Sequence, residues 1–223
     1  MRGISVARGA LATVAMAGAV CALSGCGTGD GGAATAAASS ATTSASPSAT
    51  GPGTEAKPAA KGGSVGATGS ACELPVTFDL AAQWKPEAVS VDPGSDFAVL
   101  GQQGPLTLVC EIDAKPAGNI GYLRVWQGEK SSASPRELLR AFVTAEKGVA
   151  DVTYTDIRAG RSAGVEAAYT VTVDALDETK KERAFLVPTT KGPVVVHLGG
   201  ADSSEHEAML PAYELAKSSL RAG

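Results

Sequence analysis

VTYTDIRAGRSAGVEAAYTVTVDA, residues 152–175, reads as two strands folded back on one another. In its second half Val165, Ala167, Tyr169, Val171 and Val173 alternate with Glu166, Ala168, Thr170, Thr172 and Asp174. That period of two sends successive side chains to opposite faces of a sheet. The join between the halves is a short glycine-containing turn, too short for the crossover that parallel strands need, so the pair is antiparallel.

The same pattern recurs on both sides. VTFDL (76–80) and WKPEAVSV (84–91) come first, with Asp92-Pro93-Gly94 as a turn in which proline presets φ and glycine accepts a positive φ. LTLVCEID (106–113) and IGYLRVWQ (120–127) follow, and ERAFLVPT (182–189) and PVVVHLGG (193–200) form a last pair around Lys191-Gly192. Within 106–113 strict alternation places Leu106, Leu108, Cys110 and Ile112 on one face.

Two helices interrupt and end the series. Ser134-Pro135-Arg136-Glu137 is a capping box with proline at the first helical position, and Leu138, Leu139, Phe142 and Val143 form an apolar stripe that Gly148 terminates. The second helix covers about 204–220, with Met209, Tyr213, Ala216 and Leu220 on one face. Pro211 lies inside it, so either the helix kinks or its regular part begins near Met209. The expected fold is α+β: an antiparallel sheet of about seven or eight strands with two helices packed on it.

All ten aromatic residues lie beyond residue 77, so the packed core belongs to the last 150 or so residues, enough for one domain. From Cys72 onward 15 Lys and Arg face 21 Asp and Glu. No basic stripe with interleaved aromatics is present, so a nucleic acid is not an expected partner. Anionic lipid headgroups would repel such a surface, and membrane attachment has to come from something other than charge.

Residues 1–25 supply that something. Arg2 and Arg8 make a positive start, and the apolar run GALATVAMAGAVCAL of residues 9–23 is shorter than the roughly 20 residues of a membrane span, which marks a signal peptide. Leu23-Ser24-Gly25-Cys26 resembles the bacterial lipoprotein lipobox. The resemblance implies cleavage before Cys26 and a diacylglyceryl group on its thiol, with further acylation such as palmitate. Two acyl chains hold a protein stably on a bilayer where one gives only marginal binding.

From Gly27 to Ala71 the chain is almost entirely Gly, Ala, Ser, Thr and Pro, with scattered charges at Asp30, Glu55, Lys57 and Lys61. Such a composition buries too little apolar surface to offset its ordering entropy, and residues 26–71 are read as a lipidated start and disordered tether. Residues 72–223 form the domain. With Cys21 lost in the signal peptide and Cys26 carrying lipid, Cys72 and Cys110 are left to pair in the disulfide-permissive compartment an exported chain enters.

The order of four strands, helix, four strands, helix, with a VTFDLAAQWKPE opening hairpin and a closing YELAKSSL helix, resembles the Mog1/PsbP-like domains and, among them, the actinobacterial LpqN-type lipoproteins. The resemblance covers about residues 74–221. It implies a sheet with helices packed on it and supplies no catalytic residues. The Cys72 and Cys110 pair departs from what is general in that family and leaves room for another cysteine-containing family of actinobacterial lipoproteins.

Little else speaks of chemistry. Gly160-Arg161-Ser162-Ala163-Gly164 fits G-x-S-x-G, and Asp174 or Asp177 and then His197 follow in hydrolase order. A nucleophile elbow, however, needs a helix after the turn, and a strand follows here. No H-E-x-x-H, paired C-x-x-C or Asp-rich calcium loop occurs, so no metal site or cofactor is expected. His197 alternates away from Val194, Val196 and Leu198, and could be exposed or face the helical layer. Residues 174–179, DALDET, read as a solvated hairpin loop. Tyr122, Arg124 and Trp126 share a strand face: a recognition surface if open, a packed group in which Arg124 needs a partner if covered.

The reading that results is a monomeric, non-catalytic lipoprotein at the outer face of the cytoplasmic membrane, held through Cys26 and acting as a binding or accessory module in the cell envelope. Its partner would be an envelope protein. The rival is a carrier of a lipid or small hydrophobic molecule, which needs a cavity of several hundred Å³ between sheet and helix.

Overall fold

The computed structural model describes residues 56–92, 94, 95 and 98–223. The signal peptide, Cys26 and the first part of the expected tether lie outside them. Eleven strands, two α-helices and two short 3-10 helices make up the described part. Strands β1 (Lys61–Val65), β2 (Val76–Ala81) and β3 (Lys85–Ala88) precede β4 (Gln102–Gln103), β5 (Leu106–Asp113) and β6 (Gly121–Gly128). Helix α1 (Pro135–Thr144) comes next, followed by β7 (Val149–Ala159), β8 (Ser162–Val173), β9 (Glu178–Val187) and β10 (Val194–Gly200). Helix α2 (Ser203–Ser219) and the two-residue β11 (Arg221–Ala222) close the chain.

The fold is α+β. The main sheet runs β3-β5-β6-β10-β9-β8-β7, with β4 added beside β5, and every pairing is antiparallel. Helix α1 lies on one face, where Phe142, Leu139 and Val143 meet Trp126, Val195, Leu186, Ala184 and Ala167. Helix α2 lies on the other, where Met209 and Tyr213 meet Leu123, Val125, Phe185, Val196 and Leu198. Consecutive residues Val195 and Val196 of β10 therefore point into different cores, the period of two made visible.

Three expectations need correction. First, β2 and β3 are not a hairpin: β2 belongs to a second sheet, β1-β2-β11, while β3 pairs with β5. Gln83, at φ 70, turns the chain out of one sheet toward the other. Second, the ordered domain starts before Cys72. Lys61–Val65 is a strand whose Val65 is buried, and it looked like linker because its glycines serve close approach rather than freedom. A Cβ at Gly62 would stand 2.4 Å from Ala82 Cα, and one at Gly66, where φ is 100, would stand 1.8 Å from the Val76 carbonyl oxygen.

Third, Leu106 and Leu108 do not share a face with Cys110 and Ile112. The register of β5 against β6 shifts between Leu108 and Cys110, leaving Val109 as an extra residue. Leu106 and Leu108 then join the α1 core, and Cys110 and Ile112 the α2 core.

The helices follow their sequence signals. Ser134 and Glu137 exchange both capping-box bonds at the start of α1. Helix α2 is helical from Ser203, with Asp202 as N-cap accepting from the Glu205 N–H at 2.8 Å, and Pro211 lies inside it. The Pro211 carbonyl accepts from the Ala59 N–H at 2.8 Å, which ties the segment before β1 to α2. Cys72 and Cys110 form a disulfide, with Cα atoms 6.0 Å apart.

Candidate functional site

Beyond the end of α1 its face of the sheet becomes polar. Tyr169 on β8 is the cross-strand partner of Glu182 on β9, and Glu182 is the partner of Gly199 on β10. His197, two residues before Gly199, points to the same face. A side chain begun at Gly199 would touch the His197 ring at 3.5 Å and a Glu182 oxygen at 3.7 Å, so the glycine leaves that point of the site open.

Glu146 comes from the other side. Its N–H donates to the Val143 carbonyl at 3.2 Å, and the Gly148 carbonyl accepts from the Thr172 N–H at 2.9 Å. A Cβ at Gly148, at φ 72, would stand 2.2 Å from the Thr172 carbonyl oxygen, so only glycine lets the chain pass there. These anchors hold Glu146 over the sheet at the point where α1 stops.

The four side chains converge. The Tyr169 hydroxyl is 3.2 Å from His197 Nε2, 3.3 Å from Glu182 Oε2 and 3.4 Å from Glu146 Oε2. His197 Nε2 and Glu182 Oε2 are 2.6 Å apart, and the other Glu182 oxygen, Oε1, takes the Lys180 ammonium at 2.6 Å. The Glu182 side chain is 1% exposed and that of Lys180 20% exposed, so the cluster is closed below and reaches solvent through Lys180. Ring contacts frame it: His197 stands edge-on to Phe142 and stacks with Tyr169. His197 Nδ1 has no hydrogen-bond partner among the described atoms.

Burial pushes the Glu182 carboxyl up, but His197 and Lys180 outweigh it and hold the pKa at about 2, a committed carboxylate. Glu146 is raised, first by burial and then by the Glu182 charge. Tyr169 is raised well above the usual phenol range by burial and by both carboxylates, so it keeps its proton. One side of the cluster thus holds a fixed negative charge, and the other a carboxyl that resists becoming a second.

The other residues singled out in the sequence separate. Ser162 opens β8 beside Gly160, Arg161, Ser218 and Leu220 in a surface cleft of about 620 Å³ that His197 does not line, so the hydrolase order never becomes a triad. Asp174 and Asp177 sit in the exposed β8–β9 turn. Among the described residues, Glu146, Glu182 and His197 are the one group of three or more His, Cys, Asp or Glu whose ligand atoms gather within 4.8 Å. The Tyr122 strip divides: Trp126 is 5% exposed and packs edge-on against Phe142, whereas Arg124 is about one-third exposed. Its guanidinium lies 5.0 Å from the Tyr122 ring centre and 2.7 Å from Glu111. Sequence reasoning found His197 but missed the group around it, whose members sit on four separate elements.

A second buried polar group lies on the opposite face, under α2. Lys217 bridges Glu214 at 2.8 Å and Glu166 at 3.2 Å, and Glu166 accepts from the Tyr213 hydroxyl at 2.8 Å. Arg183 approaches Glu214 at 3.5 Å. Its charges are matched, and it ties α2 to β8 and β9.

The sequence profile of a family described as uncharacterised lipoprotein matches residues 40–220. No curated protein matches the chain. Among solved structures, LpqN of Mycobacterium tuberculosis, described as involved in cell envelope biogenesis, aligns over 65% of this chain and 81% of its own, with 11% identity and a TM-score of 0.38.

Proposed function

The chain belongs to that family of uncharacterised lipoproteins, and on this premise we propose that it is a diacylglyceryl-anchored module at the outer face of the cytoplasmic membrane that binds an envelope partner without catalysis. The observation that carries the proposal is the family match over residues 40–220, which takes in linker and domain alike. The disulfide supports it, because a structural Cys–Cys bond belongs to a compartment outside the reducing cytoplasm. The anchor is Cys26 of Leu23-Ser24-Gly25-Cys26, exposed when residues 1–25 are removed. No helix among the described residues is long and apolar enough to cross a membrane, and a lipidated cysteine needs none.

With the chain tied to the domain from Ala59, the linker between lipid and domain runs over residues 27–58, and a chain of that composition spans about 28–34 Å on average. The surface offered to a partner is the strip of Tyr122, Arg124 and Glu111. We place the chain with the Mog1/PsbP-like, LpqN-type lipoproteins on the sequence resemblance. The carrier reading finds less support. The cleft of about 250 Å³ between the start of α1 and β9, lined by Leu138 and Leu186, is below the usual size of ligand pockets. The larger cleft beside α2 is lined by Arg161, Ser162, Ser218 and Arg221 together with Leu220 and Ala222. The aliphatic cleft of about 450 Å³ formed by Val89, Val91, Leu100 and Leu108 takes no lining residue from α1 or α2, so it is not the cavity between sheet and helix that a carrier of this kind needs.

Mass analysis of the mature chain from membranes tests the anchor: a diacylated N-terminal peptide beginning at Cys26 is expected, and retention of residues 1–25 or a bare thiol overturns it. A photo-crosslinking residue at position 122, used in intact cells, tests the binding strip. One discrete adduct that Arg124→Ala abolishes is expected; crosslinking only to lipid rejects the protein partner.

A further inference from the structure

From the convergence of Glu146, Glu182 and His197 on the Tyr169 hydroxyl, we infer a binding site for one divalent transition-metal ion at the end of α1. The donor set is two carboxylate oxygens and one imidazole nitrogen from three separate elements, all within 4.8 Å of one another. Carboxylate and imidazole together suit manganese, iron or zinc. Side chains gathered from the α1–β7 connection, β9 and β10 enclose a point, as ligands must, rather than lining a surface.

A count of protons supports the assignment independently. The Tyr169 hydroxyl carries one hydrogen, yet three acceptor-capable atoms stand 3.2–3.4 Å from it. If His197 Nε2–H donates to Glu182, the phenol serves Glu146 or Glu182 and not both. With Glu146 ionised, one carboxylate oxygen at the centre is left without a donor, and a cation there takes the place of the proton that an uncharged Glu146 keeps. Lys180 does not fill that place, because its ammonium sits on Glu182 Oε1 while Oε2 faces His197 and Tyr169. With an ion on Oε2, Lys180 stays where it is and orients the carboxylate from behind, the role outer-shell groups play around bound metals.

The imidazole can change roles at the loss of one contact. Nδ1 has no partner in either tautomer, so transferring the ring proton from Nε2 to Nδ1 frees the Nε2 lone pair and breaks only the bond to Glu182 that the ion replaces. The larger adjustment falls to Glu146. Zinc or manganese bonds of about 2.0–2.2 Å require ligand atoms about 3.3 Å apart, so the widest separation must close by about 1.5 Å. Glu146 lies outside regular secondary structure between α1 and β7, where side-chain rotation can supply that movement. Glu182 and His197 are anchored on central strands, and their ligand atoms, 2.6 Å apart, have only to open by about 0.7 Å.

The test uses the full chain, stripped with chelator and titrated calorimetrically with zinc and with manganese, and with cobalt followed by absorption. One site per chain is expected, with a cobalt visible spectrum of low-coordinate type. Glu146→Gln should weaken binding at least about tenfold, as should His197→Gln, while Lys180→Met shifts it less. Glu146→Gln changes a partly exposed residue and serves where the buried variants fail to fold. Absence of saturable binding of all three ions overturns the site. So does binding that Glu146→Gln leaves unchanged, since that marks surface carboxylates as the ligands.

Discussion

Leu108 and Cys110 stand two residues apart on one strand and pack into opposite cores of the sheet. The extra residue between them, Val109, is what separates them: the pairing with β6 runs Leu108 to Trp126 and then Cys110 to Val125. The bulge aims Cys110 at Cys72, on the α2 side, where the small sheet lies. Deleting Val109 removes the bulge and makes Leu108 and Cys110 neighbours in a regular strand, so they keep opposite faces and Cys110 still faces Cys72. The expected product has no free thiol by alkylation and still unfolds cooperatively; two free thiols would show that the extra residue itself is needed to bring Cys110 to Cys72. Val109→Ala keeps the residue count, and therefore the bulge and the disulfide.

The disulfide closes a loop of 38 residues in sequence separation. On the chain-entropy estimate that restriction of the unfolded state is worth about 4 kcal/mol. Cys72→Ala with Cys110→Ala should lower the unfolding free energy by that order in urea titration, with a low midpoint and a fold still recognisable by circular dichroism. A double variant as stable as the oxidised parent would show that the bond adds nothing beyond the packing around it.

Gly66 and Gly63 make a matched pair within the segment whose composition reads as tether. Alanine at Gly66 must adopt φ near 100 and push its Cβ toward a carbonyl oxygen 1.8 Å away, whereas alanine at Gly63 meets nothing within 4 Å. Gly66→Ala is expected to destabilise the domain by a few kcal/mol, and Gly63→Ala to change it by less than about 0.5 kcal/mol. Equal melting temperatures for the two variants would return residues 61–66 to the linker.

That segment also shows where sequence reading stopped. Strand alternation and capping signals act between neighbours in the chain, and so β5 to β10 and both helices were legible, Ser134 and Glu137 most of all. What was not legible depends on contacts between distant residues. Gly62 and Gly66 read as linker because composition cannot tell a glycine chosen for freedom from one chosen for close approach. The bulge at Val109 leaves the alternating string unaltered and changes only what faces it. The polar cluster was hidden for the same reason: Glu146, Tyr169, Glu182 and His197 have no spacing in common, and each alone is an ordinary residue of a turn or strand.

His206 offers a test by pH on the opposite face from that cluster. It is 3% exposed on α2, above Gly200, and its Nδ1 has no partner among the described atoms. Burial first, and then the Arg183 charge, lower its pKa from 6.5 to about 4; His197 and Lys181 add to this and Glu182 opposes it. The folded chain therefore holds His206 neutral where the unfolded chain has begun to protonate it. Between pH 6.5 and 4 the unfolded state binds the extra proton, so stability falls on acidification through that window and rises on the return. The contribution is on the order of 3 kcal/mol across the window. Because other groups titrate there too, the informative quantity is a difference. The unfolding free energies of the parent and of His206→Met, compared at pH 7 and pH 4, should diverge in favour of the variant at the lower pH. Parallel pH profiles for the two proteins would mean that His206 is protonated in the folded state as readily as in the unfolded one.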